Sequence, residues 1–197
     1  MQNRIPNRMS GGTSFISQRE IKELLAYLRV LTNPEDDSAF LRIVNTPRRE
    51  IGPATLQKLG EWANLRSKSL FNASFDVGLG QTLSGRGLEH LQRFTHWLNE
   101  IIQLSEREPV NAVRDLIRGI DYESWLFETS GSPKAAEMRM KNVNTLFQWM
   151  TEMLEGNDID EPMTLAQVVT RFTLRDMMER GESDEELDQV QLMTLHA

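Results

Sequence analysis

Cysteine is absent from the 197-residue sequence. Its absence excludes disulfide scaffolds, thiol catalysis, and zinc or iron–sulfur sites held by cysteine. Long apolar runs are also missing, since no stretch approaches the ~20 residues that a membrane-spanning helix needs. Residues 1–12 contain no apolar core of the kind found in a signal peptide. We therefore expect a cytoplasmic protein that makes no membrane contact.

Histidine is scarce as well, with three in the chain. His90 and His96 are six residues apart, which does not place them on one face of a helix, and no cysteine can complete a metal site. The paired acidic residues have neither EF-hand spacing nor an attached nucleophile. The sequence therefore predicts no metal site and no catalytic residue within these 197 positions.

Acidic residues outnumber basic ones, by 29 Asp and Glu to 22 Lys and Arg, for a formal net charge of −7. At first sight this balance argues against nucleic acid as a partner. The charge is unevenly distributed, however, because residues 1–100 carry 13 basic and 10 acidic residues, whereas residues 101–197 carry 9 and 19. The first half can therefore present a basic working surface on a globally acidic protein.

Hydrophobic periodicity predicts a mainly α protein, a bundle of about seven or eight helices. Apolar residues recur at three- and four-residue steps between Ile21 and Leu31, which lays one apolar stripe along a helix. After Gly87 the same periodicity becomes long and regular. Such stripes bury one face of each helix against its neighbours.

Capping residues mark the expected helix starts. Ser17 with Glu20 has the spacing of a capping box before the first apolar stripe, and Thr164 with Gln167 has the same spacing later in the chain. Ser132 followed by proline has the pattern of an N-cap residue with proline at the first helical position. Each pattern predicts a helix that begins at that point.

Both ends of the chain depart from the helical pattern. Residues 5–9 form a short apolar-containing segment that runs into a glycine turn, and residues 190–195 alternate as a β-strand does. Two isolated short strands around a helical bundle suggest a helical domain inserted into the β-sheet of a larger protein. We therefore expect the chain to be a piece of such a protein.

The turn between two predicted helices at residues 46–56 is the first candidate site. It has the shape of half a helix-hairpin-helix element, and a helix N-terminus with free amides binds phosphate without reading a base. The candidate DNA-binding groups are the backbone amides of Gly52, Ala54 and Thr55 and the side chains of Arg48, Arg49 and Lys58. The same pattern fits a plain helical corner with solvated arginines, and the residues alone leave both interpretations open.

Three segments occur in a characteristic order: SGGTSF leading into REIKELLAYLR at residues 10–29, NPEDD followed by LRIVNTPRREIG at residues 33–52, and QLMTLHA at residues 191–197. In this combination the chain resembles the Rep/UvrD/PcrA DNA helicases of superfamily 1A. In that family a mobile helical domain, 2B, is inserted into the RecA-like domain 2A. The resemblance implies a flanking strand and turn of 2A at residues 1–14, the helical 2B domain at residues 15–187, and a 2A strand that starts motif V at residues 188–197.

The resemblance also implies DNA-contacting residues. Ile51 and Gly52 correspond to the family's Gly-Ile-Gly region, which touches the duplex ahead of the fork, and Glu50 stands where the family has its first glycine. Thr194 and His196 match motif V positions associated with single-stranded DNA. The implied partners are DNA, as duplex and single-strand junction, and the remaining helicase domains 1A, 1B and 2A.

The implied function is that of the regulatory, duplex-contacting 2B domain of an ATP-dependent 3′-to-5′ DNA helicase that unwinds DNA in replication. ATP and Mg²⁺ belong to the parent enzyme, because these residues include no Walker lysine, Walker acid pair or arginine finger. We expect no cofactor and no catalysis from the fragment alone. The alternative is an acidic helical interaction module that docks a replication partner. A free-standing transcription regulator is less favoured because no basic recognition helix is evident.

Overall fold

The computed structural model describes residues 14–195, with side chains for residues 14–181. Within that range the chain forms ten α-helices and no β-strand, so the expected mainly α class is confirmed. The helices are α1 Arg19–Thr32, α2 Asp37–Ile43, α3 Pro53–Arg66, α4 Leu70–Ala73, α5 Leu79–Thr82, α6 Arg86–Arg107, α7 Pro109–Gly119, α8 Tyr122–Thr129, α9 Pro133–Glu155 and α10 Leu165–Leu195. The number exceeds the expected seven or eight because α4 and α5 are single turns of four residues each.

Helix α1 is the centre of the bundle. Ten of its 14 residues are buried, and it packs against α2, α6, α9 and α10. A surface helix buries only one stripe, so burial on this scale means that α1 is surrounded by its neighbours. Its apolar residues join one continuous core that includes side chains from every other helix.

Two of the three predicted caps are confirmed. The Ser132 hydroxyl accepts a hydrogen bond from the Ala135 amide at 3.1 Å. Thr164 and Gln167 form the reciprocal capping box, with N–O distances of 2.9 and 3.2 Å. These interactions satisfy amides that have no partner inside the helix.

The predicted capping box of Ser17 and Glu20 is wrong. The N-cap of α1 is Gln18, which makes no side-chain capping bond, and the Ser17 hydroxyl donates to the Ser14 carbonyl instead. Glu20 is buried and accepts a hydrogen bond from Asn142 Nδ2 on α9 at 2.9 Å. A tertiary partner has therefore claimed the carboxylate that the local pattern assigned to the helix start.

A second buried carboxylate on α1 joins it to α8. Glu23 accepts hydrogen bonds from the Tyr122 hydroxyl at 2.6 Å and from Arg19 Nε at 2.9 Å. Burial raises the pKa of Tyr122, and its bond to the Glu23 carboxylate raises that pKa further. Buried polar groups are costly unless they are paired, so these bonds fix how α1, α8 and α9 fit together.

The strand predicted at residues 190–195 is not observed. Helix α10 continues through Leu195, and its backbone hydrogen bonds are therefore made within the helix. A strand needs a neighbouring strand to satisfy its amides and carbonyls, and residues 14–195 provide none. The other expected strand, residues 5–9, lies outside the described residues.

Membrane-spanning potential was considered for the described helices. None of them combines the length and apolar character that crossing a bilayer requires.

Candidate nucleic-acid interface

The loop between α2 and α3 is held by the guanidinium group of Arg49. Its Nη1 atom donates to the carbonyl oxygens of Ile43 at 2.8 Å, Pro47 at 3.2 Å and Val44 at 3.3 Å. Its Nη2 atom donates to the hydroxyl of Tyr27, on α1. The planar fork of arginine suits such a set of acceptors, because its donors point in fixed and different directions.

The same guanidinium also stacks on aromatic rings. Its central carbon lies 4.2 Å from the centroid of the Phe94 ring on α6 and 5.7 Å from that of Tyr27. The Tyr27 hydroxyl in turn donates to the Thr46 carbonyl. Burial raises the pKa of Tyr27 to about 12, although the nearby Arg49 charge acts in the opposite direction. Arg49 therefore connects the loop to the core and spends its donors inside the protein.

The end of the loop is fixed by Asn45. Its side-chain amide donates to the Ile51 carbonyl at 2.7 Å, and its side-chain oxygen accepts from the Ile51 amide at 3.1 Å. Ile51 itself is 1% exposed. Glu50, just before it, has φ of 59°, in the left-handed region that favours glycine. The backbone there turns sharply so that Ile51 enters the core and Gly52 leads out into α3.

The N-terminus of α3 has unsatisfied amides at the surface. Gly52 is the N-cap and Pro53 is the first helical residue, and no side chain caps this helix. The amides of Ala54 and Thr55 make no hydrogen bond within the part of the chain that the structure describes. Such amides, with the positive end of the helix dipole, favour an anion at this position.

Gly52 leaves open space in front of these amides. Its φ is −71°, which any residue adopts, and a Cβ placed there would meet nothing within 4 Å. The fold itself therefore does not require glycine at this position. A phosphate group can approach the backbone closely where no side chain intervenes.

The start of α6 packs directly against the start of α3. A Cβ on Gly87 would lie 2.2 Å from Thr55 Oγ1, so only glycine permits this approach. Helix α6 also begins without a side-chain cap. Two helix N-termini therefore lie side by side, and their dipoles add to the positive potential of this surface.

The structure separates the predicted basic residues into two groups. Arg48 and Lys58 are exposed and make no ion pair or hydrogen bond with the described side chains, whereas Arg49 is only partly exposed and is fully engaged. Thr194 lies in the part of α10 for which only the backbone is described, and His196 lies outside the described residues. The corner is therefore brought together by residues 48–58, and the two C-terminal positions are not placed beside it.

Sequence reasoning missed the contribution of α6. Gly87, His90 and Phe94 all touch residues of the corner, although they lie about 40 positions away in the chain. The apolar stripe of α6 was visible in the sequence, but a stripe does not say which neighbour it covers. Within residues 14–181 no group of three or more metal-ligating side chains is found.

Comparison with known proteins gives consistent matches along the chain. A family model described as "UvrD-like helicase C-terminal domain" matches residues 1–197. The chain is 82% identical to the ATP-dependent DNA helicase Rep of Salmonella typhimurium and 81% identical to that of Escherichia coli, over 100% of this chain and 29% of each relative. It is 32% identical to DNA helicase II of Escherichia coli, again over 100% of this chain and 27% of the relative. The chain thus spans less than a third of the length of these relatives.

The two neighbouring arginines give a matched pair for stability measurements. We expect Arg49→Ala to lower the free energy of unfolding by about 2 kcal/mol, because it leaves loop carbonyls and the Tyr27 hydroxyl without a partner. Arg48→Ala removes the same charge and should change it by less than about 0.5 kcal/mol. Urea denaturation measures both. Equal destabilisation by the two variants would contradict the internal role of Arg49.

The two tyrosines of the chain, Tyr27 and Tyr122, allow a test by alkaline titration. Burial raises the pKa of both, to about 12 for Tyr27, so ultraviolet absorbance should show little tyrosinate in the folded protein near pH 10. In urea both should ionise at about pH 10. Because the folded-state pKa is the higher one, the free energy of unfolding should fall as pH rises from 10 through 12. A tyrosine that ionises near pH 10 while the protein remains folded would contradict the described burial.

Proposed function

Because the chain belongs to the family of UvrD-like helicase C-terminal domains, we propose that it is the regulatory 2B domain of a Rep-like, ATP-dependent 3′-to-5′ DNA helicase. In this role it contacts duplex DNA ahead of the fork during replication. The observation that best supports the proposal is the uncapped N-terminus of α3, where free amides, open space at Gly52 and exposed basic side chains coincide.

Each part of the corner receives a role in this proposal. The amides of Ala54 and Thr55 donate to a backbone phosphate, and Gly52 lets that phosphate approach. Arg48 and Lys58 add charge from either side. Arg49, which was predicted as a direct contact, acts by holding the loop in position. Contacts of this kind carry no base information, as a helicase that moves through all sequences requires.

The rest of the parent enzyme supplies the chemistry. The relatives named ATP-dependent DNA helicase Rep are more than three times as long as this chain, and we propose that domains 1A, 1B and 2A bind ATP and Mg²⁺ there. The assignment of residues 1–14 and 188–197 to 2A, and of residues 15–187 to 2B, belongs to the same proposal. So do the single-strand contacts of Thr194 and His196 and a cytoplasmic location.

An acidic interaction module is the second candidate function. Residues 101–197 carry 9 basic and 19 acidic residues, and Met177 and Met178 on α10 are more than half exposed. Acidic surface with exposed methionines favours a protein partner. Titration with the purified remaining helicase domains tests it: binding that survives high salt, with no duplex binding by the chain, would favour this candidate over the first.

The duplex contact can be tested by fluorescence anisotropy with a labelled blunt duplex across a series of salt concentrations. We expect weak binding whose logarithm falls linearly with the logarithm of salt concentration, because phosphate contacts release counterions. Arg48→Ala and Lys58→Ala should each weaken binding and flatten that slope by about 0.9.

Lys134→Ala is the matched control, because Lys134 is also exposed and its loss changes the net charge equally, but it lies at the start of α9. Its affinity and slope should equal those of the unmodified chain. If all three variants behave alike, the corner is not the duplex contact.

A further inference from the structure

A groove lies between the loop that precedes α3 and the first half of α6. It has a volume of about 570 Å³, within the range of ligand-binding pockets. Arg48 and Glu50 line it from the loop, and His90, Arg93 and Trp97 line it from α6. None of the α6 residues belongs to the corner from which the duplex contact was proposed.

The four α6 residues in the groove share one helix face. His90, Arg93, Phe94 and Trp97 follow at steps of three and four, so their side chains lie along one stripe. His90 Nδ1 is 3.4 Å from the Glu50 carbonyl oxygen, which keeps α6 against the loop. The stripe therefore continues the surface of the corner along α6.

The floor of the groove is aromatic and firmly held. Phe94 is buried beneath the guanidinium of Arg49. A Cβ on Gly119, at the end of α7, would lie 2.7 Å from the Trp97 ring, so the chain passes directly over the indole there. Such a floor keeps water away from one side of any bound group and strengthens its electrostatic interactions.

The charge of the groove is positive and unpaired. Arg48 and Arg93 are both exposed, and neither forms an ion pair or hydrogen bond with another side chain of residues 14–181. Arg49 adds a third guanidinium at the back, and Glu50 is the single acidic residue in the lining. Guanidinium groups bind phosphate oxygens in pairs of hydrogen bonds, and two that face one groove without a counter-ion suit a phosphate.

We propose that Arg93, together with Arg48, binds a phosphate of the DNA backbone in this groove. The proposal rests on the duplex contact proposed above and extends it, from the N-terminus of α3 along α6. Arg48 connects the two surfaces because it belongs to the corner and also lines the groove. Arg93 is then a DNA-binding residue that no sequence pattern assigned.

Arg93→Ala in the 197-residue chain tests the proposal, with a labelled blunt duplex as the probe in the salt series described above. One lost phosphate contact should weaken binding by about tenfold near ~0.1 M salt and flatten the salt slope by about 0.9. Arg93→Lys keeps the point charge, so it should retain the slope while losing part of the affinity. Unchanged thermal unfolding of both variants shows that the fold is intact.

Arg107→Ala is the matched control, because Arg107 is an exposed arginine of the same helix and lies 14 positions beyond Arg93. It should leave affinity and slope unchanged. If Arg93→Ala behaves like Arg107→Ala while Lys58→Ala weakens binding, the groove is not a phosphate site and the corner contact stands. If the unmodified chain shows no salt-dependent duplex binding, the proposed function itself fails.

Discussion

The guanidinium of Arg49 is the interaction on which the candidate interface depends. It joins three parts of the molecule, since it bonds the carbonyls of the loop, the Tyr27 hydroxyl on α1 and the face of Phe94 on α6. Because α1 is the buried centre of the bundle, the loop is anchored to the most stable part of the structure. The backbone can then hold Glu50 at a positive φ and present the start of α3 to solvent.

Anchoring the loop explains how an acidic protein can present a surface for DNA. The net charge of −7 describes the whole chain, whereas the corner and the adjacent groove hold exposed arginine and lysine side chains with a single glutamate in the groove lining. Local potential near a surface is set by charges within about a Debye length, ~10 Å at moderate salt. The acidic second half can therefore keep the protein soluble and repel DNA elsewhere, so that contact concentrates at one face.

Features that depend on neighbouring residues could be predicted from sequence, and features that depend on distant ones could not. The mainly α class and the caps at Ser132 and Thr164 follow from local periodicity and hydrogen bonding. The capping box at Glu20 failed because a distant asparagine binds that carboxylate, and the strand at residues 190–195 failed because no neighbouring strand is described. Nothing local distinguishes Arg49 from the arginine before it; Tyr27 and Phe94 make the difference.

The central claim is that duplex DNA meets the start of α3 and the adjoining face of α6. Amide chemical shifts of the isotopically labelled chain, titrated with a blunt duplex, test this most directly. The account predicts the largest shifts at Ala54, Thr55 and Lys58, with smaller ones around Arg93, all diminishing as salt is raised. Shifts confined to α9 and α10, or no shifts at salt concentrations where anisotropy reports binding, would contradict it.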